Sequence, residues 1–200
     1  MSEDGTAKNE QRRMALARRR ALVPQERARL SAQIQSRVCS SEHFRRARRI
    51  ACYQPMADEV QMRTLMLRAW SANKRIFLPR VTRMGKLQFR ELRPNEPLRR
   101  NSIGILEPVN GVASPLVQLD LVIVPLVAFD AGGNRIGMGG GYYDRTFANY
   151  SKRQRYATPR LIGVAFACQE LEQIDASPWD IPLFRVFTES RNAVAPRLDG

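Results

Sequence analysis

The sequence is poor in the residues that metal centres and disulfide frameworks require. Its 200 residues include three cysteines, none in a CxxC pair, and a single histidine. An odd cysteine count without paired spacing argues against a disulfide framework or a zinc site and favours a reducing compartment. His43 lies in the polar stretch "SEHFRR", which is typical of a surface turn. A histidine-based catalytic triad is therefore not expected.

Long apolar runs are also missing. The longest run, "LVIVPLVAF" at residues 121–129, has the length of a strand and contains Pro125. A membrane-spanning helix needs about 20 apolar residues, so no membrane span is expected. No secretory apolar region follows Met1, and the acidic residues among the first thirty argue against an organellar transit peptide. A cytoplasmic location is the expectation.

Acidic residues are few relative to basic ones. There are 19 Asp and Glu against 33 Lys and Arg, so the net charge is +14. Arginines account for most of the excess, and many crowd into the first fifty residues. A basic surface attracts polyanions such as nucleic acid, phosphorylated cofactors or polyglutamated small molecules. A solvated, arginine-rich helix surface explains the same charge without a ligand, so charge alone does not choose between them.

The chain length and composition favour one domain over residues 1–200. Apolar residues make up 44% of the sequence, which is enough for a sizeable core. We find no internal repeat and no low-complexity segment. The ends, at residues 1–7 and 190–200, are expected to be disordered.

Two helices are predicted near the start of the chain. Residues 8–21 lack Pro and Gly and are rich in helix formers. In the second helix, which begins at Pro24, Leu30, Ile34 and Val38 recur at helical spacing. Val23 stands where a Ser or Thr cap is usual, and the missing cap should cost about 1 kcal/mol.

Strands and helices alternate through the rest of the chain. Strands are predicted at residues 48–55, 75–81, 86–92, 119–129, 160–167 and 185–190. Helices are predicted at residues 58–74, with Asp58 and Glu59 at the positive end, and at 142–151 and 168–175. Residues 101–111 read as an extended loop. This order predicts right-handed crossovers and an α/β layered fold with a mostly parallel central sheet flanked by helices.

A glycine-rich loop follows the most apolar strand. Residues 137–145 read "GMGGGYYDR" and lie where ligands bind in an open α/β sheet, beyond the carboxyl end of a strand. Glycines let backbone N–H groups converge on an anion, and the helix that follows adds its N-terminal charge. The loop is not a P-loop, because GxxxxGK[ST] is absent. It is not a dinucleotide fingerprint either, because Tyr142 stands in place of the third glycine of GxGxxG. It favours a nucleotide phosphate, with a tight turn as the alternative.

Asp144 adds a carboxylate to this loop. A carboxylate repels a phosphate unless a cation lies between them, and Mg²⁺ bridging Asp144 and phosphate oxygens resolves the conflict. The alternative is an acid in the first turn of a helix.

The segment "GNRIGMGGGYYDR" resembles the signature loop of the 5-formyltetrahydrofolate cyclo-ligase family, also called 5,10-methenyltetrahydrofolate synthetase. The resemblance covers most of the chain, in order. It is carried by Lys8 and Arg12 in a Lys-x-x-x-Arg pattern and by "PQERARLS", "YQPMADEVQM", "KRIFLPRV", "GILEPV", "LDLVIVPLVAFDAGGNRIGMGGGYYDR" and "SPWDIPLFRVFTE". Some family members carry Arg or Lys at the positions of Met138 and Gly140, so another arginine or the metal would supply that charge here.

The resemblance implies a reaction. Family members convert 5-formyltetrahydrofolate and MgATP to 5,10-methenyltetrahydrofolate, ADP and phosphate. The γ-phosphoryl group is transferred to the formyl oxygen, N10 attacks the resulting iminium phosphate, and phosphate departs. Positioning and charge neutralisation dominate such chemistry.

The resemblance also implies roles for particular residues. Arg135, Tyr142 and Asp144 are the catalytic candidates, and Asp144 and Asp180 are the Mg²⁺ candidates. The ATP-binding candidates are Lys8, Arg12, Arg135, Ile136, Gly137, Met138, Gly139, Gly140, Gly141, Tyr142 and Tyr143. The folate-binding candidates are Gln54, Glu59, Met138, Gly139, Gly140, Gly141 and Tyr142.

Within these sets, Glu59 is expected to accept hydrogen bonds from pterin N–H groups. One of Tyr142 and Tyr143 is expected to stack on the pterin or to bind the formyl group. From the residues alone, Lys8 and Arg12 read equally as a solvated basic face, Glu59 as a helix-start acid, and Asp180 in "PWDIP" as a turn former.

The expected partners are ATP and 5-formyltetrahydrofolate, for which the basic surface also favours the polyglutamate, and the protein is expected to be a monomer. Two alternatives remain open from the sequence. One is a basic RNA-binding module in which Tyr142, Tyr143 and nearby arginines contact RNA. The other is a family relative with an altered substrate.

Overall fold

Helices and strands alternate along the chain as predicted. In a computed structural model, residues 3–101, 104–148, 159–190 and 192–194 are described. The helices are α1 (Glu3–Ala21), α2 (Pro24–Ser40), α3 (Glu42–Arg46), α4 (Arg63–Ser71) and α5 (Tyr142–Phe147). The strands are β1 (Arg49–Ala51), β2 (Arg75–Val81), β3 (Leu87–Leu92), β4 (Leu98–Arg100), β5 (Leu106–Pro108), β6 (Ala113–Ser114), β7 (Leu121–Pro125), β8 (Ala128–Phe129), β9 (Arg135–Ile136), β10 (Arg160–Val164), β11 (Arg185–Phe187) and β12 (Asn192–Val194).

The central sheet is mostly parallel, which confirms the predicted fold class. Its eight strands follow the order β12-β11-β10-β7-β1-β2-β3-β6. The inner strands from β11 to β2 pair in parallel. The outer strands pair antiparallel: β12 with β11 on one side, and β3 with β2 and β6 with β3 on the other. The apolar strand β7 lies in the middle, as expected for a strand buried on both faces.

Alternate residues of the inner strands bury opposite faces of the sheet. On β7, Ile123 belongs to the core beneath α2 and α4, whereas Val122 and Val124 belong to the core on the other face. Leu30, Ile34 and Val38 of α2 are all buried in the first core, which confirms the predicted helical spacing. The sheet is therefore a central layer with helices packed against it.

The first two helices differ slightly from prediction. α1 begins at Glu3 rather than at residue 8. α2 begins at Pro24, and Val23 occupies the cap position without a side-chain hydrogen bond, as predicted. Of the ends expected to be disordered, residues 1–2, 191 and 195–200 lie outside the described residues, and terminal disorder stays a prediction.

The helix predicted at residues 58–74 is shorter, since α4 spans only Arg63–Ser71. Asp58 and Glu59 precede it and do not form its first turn, so the helix-start interpretation of Glu59 is wrong. Glu59 Oε2 accepts a hydrogen bond from the backbone N–H of Met56 at 2.9 Å, and Asp58 binds Arg19. Such local side-chain acceptors compete with helix formation.

Two short hairpins were not predicted. The stretch read as a loop at residues 101–111 contains β5, which pairs with β4. The strand predicted at residues 119–129 divides after Pro125, and β8 turns to pair with β9. The Asp130 carboxylate holds this turn, because it accepts hydrogen bonds from the backbone N–H groups of Asn134 and Ile174 at 2.9 and 3.0 Å.

Three other segments depart from prediction. Residues 168–175 are not an α-helix; a 3₁₀ turn at Ala167–Gln169 replaces it, and Gln169 donates to the carbonyls of Leu126 and Val127. α5 ends at Phe147, and residues 149–151 of its predicted length lie outside the described residues. The edge strand β12 was not predicted.

His43 is not in a surface turn. It lies on α3, half-buried, and its ring meets that of Phe184 edge-to-face at 4.9 Å between centroids.

Candidate active site

A cleft of about 930 Å³ opens at the carboxyl ends of three parallel strands. Tyr53 and Gln54 follow β1, Pro79 and Val81 end β2, and Pro125 ends β7. This is the edge at which an open α/β sheet binds ligands. Of the candidate residues predicted from the sequence, all line the cleft except Ile136, whose side chain is buried against Ala15 and Val127.

The glycine loop forms one wall of the cleft. Gly139 and Gly141 have φ angles of +95° and +60°, which L side chains rarely adopt. A Cβ added at Gly140 would come within 2.7 Å of the Tyr142 ring. The loop therefore requires glycine both for its backbone angles and for close packing.

Residues 138–141 of this loop line the cleft. Within the described parts of the chain, the N–H groups of residues 138–141 have no hydrogen-bond acceptor. Two arginines fix the loop through its carbonyls: Arg12 Nε donates to the Gly137 oxygen at 2.8 Å, and Arg145 Nη2 donates to the Gly140 oxygen at 2.6 Å. Unpartnered N–H groups on a fixed loop are suited to bind an anion.

α1 brings its two predicted basic residues to this wall. Lys8 and Arg12 lie one turn apart on the helix and both line the cleft. Lys8 pairs with the Asp180 carboxylate, 172 positions along the chain. The same helix thus contacts the glycine loop at Gly137 and the segment around Asp180.

The two carboxylates predicted to bind metal line the same cleft, and Asp144 contacts the backbone of Ile181, the residue after Asp180. Asp144 Oδ1 accepts a hydrogen bond from Arg135 Nη2 at 2.6 Å and a longer one from the backbone N–H of Ile181 at 3.3 Å. Asp180 Oδ2 accepts hydrogen bonds from Lys8 and from the backbone N–H of Ser177. Each carboxylate already has one cationic partner.

The residues present fit a magnesium ion that is shared with a ligand. No group of three or more His, Cys, Asp or Glu side chains that could hold a metal occurs among the described residues. The second oxygens of Asp144 and Asp180, however, accept no hydrogen bond from that part of the chain. Mg²⁺ is commonly bound by one or two carboxylates together with substrate phosphates and water. The donor set suits an ion that arrives with a nucleotide.

Arg135 connects the loop to the interior of the cleft. It is only 7% exposed, and its guanidinium lies 6.0 Å from the centre of the Tyr143 ring. Arg135 Nε and the Tyr143 hydroxyl are both buried without a hydrogen-bond partner in the described structure. Burial raises the pKa of Tyr143, so its hydroxyl stays protonated and can donate. Both residues line the cleft, where a ligand or a water molecule can complete their hydrogen bonding.

Glu59 supplies a buried acceptor at the inner end of the cleft. Its side chain lies 3.8 Å from Arg19 Nη1. Burial raises the pKa of Glu59 above that of an ordinary glutamate, against the opposing effects of the Met56 N–H and Arg19. Pro79, Val81 and Leu87 add apolar surface nearby. Apolar walls with a few fixed polar groups are typical of small-molecule sites.

Several lining residues were not found from the sequence. Trp179 is 70% exposed at the cleft, and Ile105 and Glu107 reach it from the β4–β5 hairpin. The tryptophan had a signal in the sequence, because it stands beside Asp180 in "SPWDIP" and a large aromatic side chain in a polar turn is uncommon. The hairpin residues had none, because the hairpin itself was read as a loop.

Together, the fold and the cleft define a class of protein. It is an α/β protein in which a glycine loop, flanking cations and adjacent carboxylates suit a phosphorylated ligand, beside a pocket that suits an organic ring. In the described part of the chain, no helix is both long enough and apolar enough to cross a bilayer.

Comparisons with known proteins identify the family. Residues 4–189 match the model of the 5-formyltetrahydrofolate cyclo-ligase family. The chain is 37% identical to the 5-formyltetrahydrofolate cyclo-ligase of Escherichia coli K12 over 182 residues, which cover 89% of this chain and 98% of the relative. It is 38% identical to that of Haemophilus influenzae over 146 residues, covering 71% and 76%.

A solved structure agrees with these sequences. The NMR structure of Aquifex aeolicus 5,10-methenyltetrahydrofolate synthetase superposes with a TM-score of 0.81 at 32% identity, covering 96% of this chain and 94% of that one. The chain belongs to the 5-formyltetrahydrofolate cyclo-ligase family. The predicted resemblance is confirmed.

Proposed function

We propose that this protein converts 5-formyltetrahydrofolate to 5,10-methenyltetrahydrofolate, using ATP and releasing ADP and phosphate. Membership of the family supports the reaction. The observation that carries it to this chain is that residues 138–141, whose N–H groups have no acceptor in the described structure, line the same cleft as Glu59. One face of the cleft suits a phosphate and the other a ring with N–H donors.

Atoms and charge balance in two steps. The bond between the γ-phosphorus and ADP breaks as the formyl oxygen takes up the phosphoryl group, which gives an iminium phosphate. N10 of the folate then attacks the formyl carbon and gives up its proton to the departing phosphate or to water. The carbon–oxygen bond breaks, and phosphate leaves with its electron pair. The protein has little covalent chemistry to supply, so positioning and charge neutralisation are its main contributions.

The ATP side of the site is assigned to α1 and the glycine loop. Lys8 and Arg12 neutralise phosphate charge from the helix, and Arg135 does so from the interior. The backbone of residues 137–141 donates hydrogen bonds to phosphate oxygens. Tyr142 and Tyr143 close the loop, and Ile136 contributes through its backbone position rather than through its buried side chain.

The folate side is assigned to the inner end of the cleft. Glu59 accepts hydrogen bonds from pterin N–H groups and Gln54 lines the same pocket. Residues 138–142 lie between the two ligands, so the formyl oxygen and the γ-phosphoryl group meet there. Tyr142 lies at this junction, with its ring 5.3 Å from the Arg145 guanidinium.

Asp144 and Asp180 are assigned to Mg²⁺, through the oxygens that accept no hydrogen bond from the described residues. When bound, the ion neutralises charge on the phosphoryl group that is transferred. Arg135 orients the Asp144 carboxylate through Oδ1, and Lys8 orients the Asp180 carboxylate through Oδ2.

Further assignments concern the location, the form of the folate and the oligomeric state. The free cysteines suit a reducing cytoplasm, and the basic surface suits a polyglutamated folate. We propose that the protein acts as a monomer with one catalytic domain over residues 1–200. RNA binding is not favoured, because Arg135 and Tyr143 face inward rather than presenting a stacking surface.

The direct test is formation of the methenyl chromophore. Purified protein is mixed with 5-formyltetrahydrofolate, ATP and Mg²⁺, and absorbance of the product is followed with ADP release. Both should appear in equal amounts and only when all three components are present. Absence of turnover together with tight, salt-sensitive RNA binding would instead support the RNA-binding module.

A further inference from the structure

A second cleft, of about 410 Å³, lies at the opposite edge of the sheet from the active site. Its lining residues come from the end of α2, from α3 and from the start of β11, and they are Arg37, Ser40, Ser41, Glu42, His43, Phe184 and Arg185. Arg160, the first residue of β10, is not part of this lining but contacts the lining residue Phe184. We call this the amino-end cleft, because it adjoins the amino ends of β10 and β11.

Cationic side chains converge on one ring in the amino-end cleft. The Arg160 guanidinium lies 4.4 Å from the centre of the Phe184 ring and that of Arg185 lies 6.0 Å from it. His43 meets the same ring edge-to-face, with planes at 88°. Phe184 is 37% exposed, so one aromatic side chain brings three nitrogen-bearing groups together at the surface.

These groups have no anionic partner within the described residues. The side chains of Arg160, Arg185 and His43 form no hydrogen bond or ion pair there, and Arg185 Nε is buried without an acceptor. The carboxylate in the cleft, Glu42, is paired with Arg46 at 2.7 Å. By contrast, other arginines find acids: Arg19 pairs with Asp58 and Arg75 with Glu91.

The surroundings of His43 shift its pKa downward. Burial lowers the pKa of His43, and the positive charges of Arg160, Arg185 and Arg46 lower it further, while Glu42 opposes them. Arg37, from α2, also lines the cleft, and it donates to the backbone oxygen of Ser190 at 3.2 Å. The site therefore has excess positive charge that a bound anion would relieve.

We propose that the amino-end cleft binds a phosphate group that carries two negative charges, either as inorganic phosphate or as a small phosphomonoester. Arg185 lines the cleft and Arg160 lies against the Phe184 ring, so two guanidinium groups, which arginine uses to bind phosphate, are close to it. The exposed Ser40 lies at the rim as a further donor. The cleft volume leaves room for a phosphate group and an organic substituent.

The single histidine makes the site directly observable. Because His43 is the only histidine in the chain, its imidazole NMR signals need no assignment. Inorganic phosphate is titrated into ¹³C/¹⁵N-labelled protein at about pH 8, where the second phosphate proton has been lost. A saturable shift of the His43 signals is expected. In pH titrations, saturating phosphate should raise the His43 pKa by about one unit relative to chloride at equal ionic strength.

Phenyl phosphate serves as a second probe. A tighter response than that of inorganic phosphate identifies a phosphomonoester with an apolar substituent as the natural ligand, whereas equal or weaker binding identifies the free anion. Either response supports the site.

Variants test whether the arginines form the phosphate site of the amino-end cleft. R160Q and R185Q should each reduce phosphate affinity at least fivefold, whereas R83Q, at an exposed arginine of the β2–β3 turn, should leave it unchanged. Retained cyclo-ligase turnover or an unchanged far-UV spectrum shows that each variant is folded. An equal shift with chloride, or a phosphate response that persists in both R160Q and R185Q, overturns the proposal. The readout requires no turnover, so it stands or fails separately from the proposed reaction.

Discussion

Asp144 is held on one side by Arg135, which constrains its role. Its Oδ1 is held by Arg135, and its other oxygen is available in the described structure. A carboxylate oriented in this way can bind a metal on one side without repelling a phosphate, because the arginine and the metal offset its charge. This arrangement reconciles an acid with a phosphate-binding loop.

The variant D144N tests this role. It keeps an oxygen that can accept from Arg135 but removes the negative charge. We expect the Mg²⁺ concentration for half-maximal rate to rise by about 10- to 100-fold. The rate is measured against Mg²⁺ at fixed ATP, with D175N as the control, since Asp175 lines the same cleft without a hydrogen bond in the described structure. An unchanged rate and Mg²⁺ requirement in D144N would remove Asp144 from the mechanism.

Glu59 gives the proposed folate pocket a pH dependence. Its pKa is raised by burial, so it loses its charge at a higher pH than an ordinary glutamate. As the pH falls through this raised pKa, the carboxylate is protonated and no longer accepts from pterin N–H groups. The KM for folate should rise accordingly in the acidic range.

In E59Q this acid-limb change in KM should disappear. At neutral pH the KM for folate should rise about tenfold, which corresponds to a hydrogen bond to a charged group of about 1.5 kcal/mol. E172Q, at an exposed position, is the control. A KM for folate in E59Q that matches wild type at every pH would show that Glu59 does not contact the substrate.

The same shift affects folding in a defined direction. The folded state holds the Glu59 proton more tightly than the unfolded state does. This contribution to stability is present below the unfolded pKa and is lost as the pH rises through the folded pKa.

Among the elements, the glycine loop depends on backbone angles that other residues avoid. Gly139 has a φ of +95°, and Gly104, in the loop between β4 and β5, has a φ of +82° with no atom within 4 Å of an added Cβ. Alanine at either position should cost about 1–2 kcal/mol of backbone strain. The two substitutions should therefore cost similar backbone strain, but only Gly139 lies in the glycine loop.

G139A should raise the KM for ATP by about tenfold, because relief of the strain moves the N–H groups of the loop. G104A should lower stability to a similar extent without changing the KM for ATP. Steady-state kinetics and urea unfolding of both variants make the comparison. If the two variants had the same KM for ATP, the loop would not be the phosphate site.

The α2 cap offers a test of stability alone. Val23 occupies the cap position, is 59% exposed and makes no side-chain cap bond. V23D should raise the free energy of unfolding by about 1 kcal/mol, because an aspartate can accept from an N–H group of the first turn. V117D, at a similarly exposed valine outside any α-helix cap, should not stabilise the protein. Equal urea midpoints for wild type and V23D would contradict this account of the cap.

The elements that sequence predicted well are those with strong local patterns. β2, β3, β7 and β10 are runs of apolar or alternating residues, and each lies within its predicted range. The hairpins β4–β5 and β8–β9 are only two or three residues per strand, too short to carry a period. The start of α4 was predicted too early. Asp58 pairs with Arg19 and Glu59 accepts from the N–H of Met56, and the sequence pattern does not show these contacts.

At the scale of the whole molecule, the sequence identified most of the candidate site. Strand ends and the glycine loop are consecutive features, and parallel strands bring them to one edge of the sheet. The sequence did not predict side-chain contacts between residues that are far apart along the chain. The contact of Lys8 with Asp180 and the convergence of His43 with Arg160 on Phe184 depend on how distant elements dock.

The central claim is that the backbone at residues 138–141 holds the triphosphate against the folate formyl group. A crystal structure with a non-hydrolysable ATP analogue, Mg²⁺ and 5-formyltetrahydrofolate tests it most directly. We expect phosphate oxygens within hydrogen-bond distance of those N–H groups, Mg²⁺ on Asp144 or Asp180, and the formyl oxygen facing the γ-phosphorus. A nucleotide bound away from residues 135–144 would contradict the account.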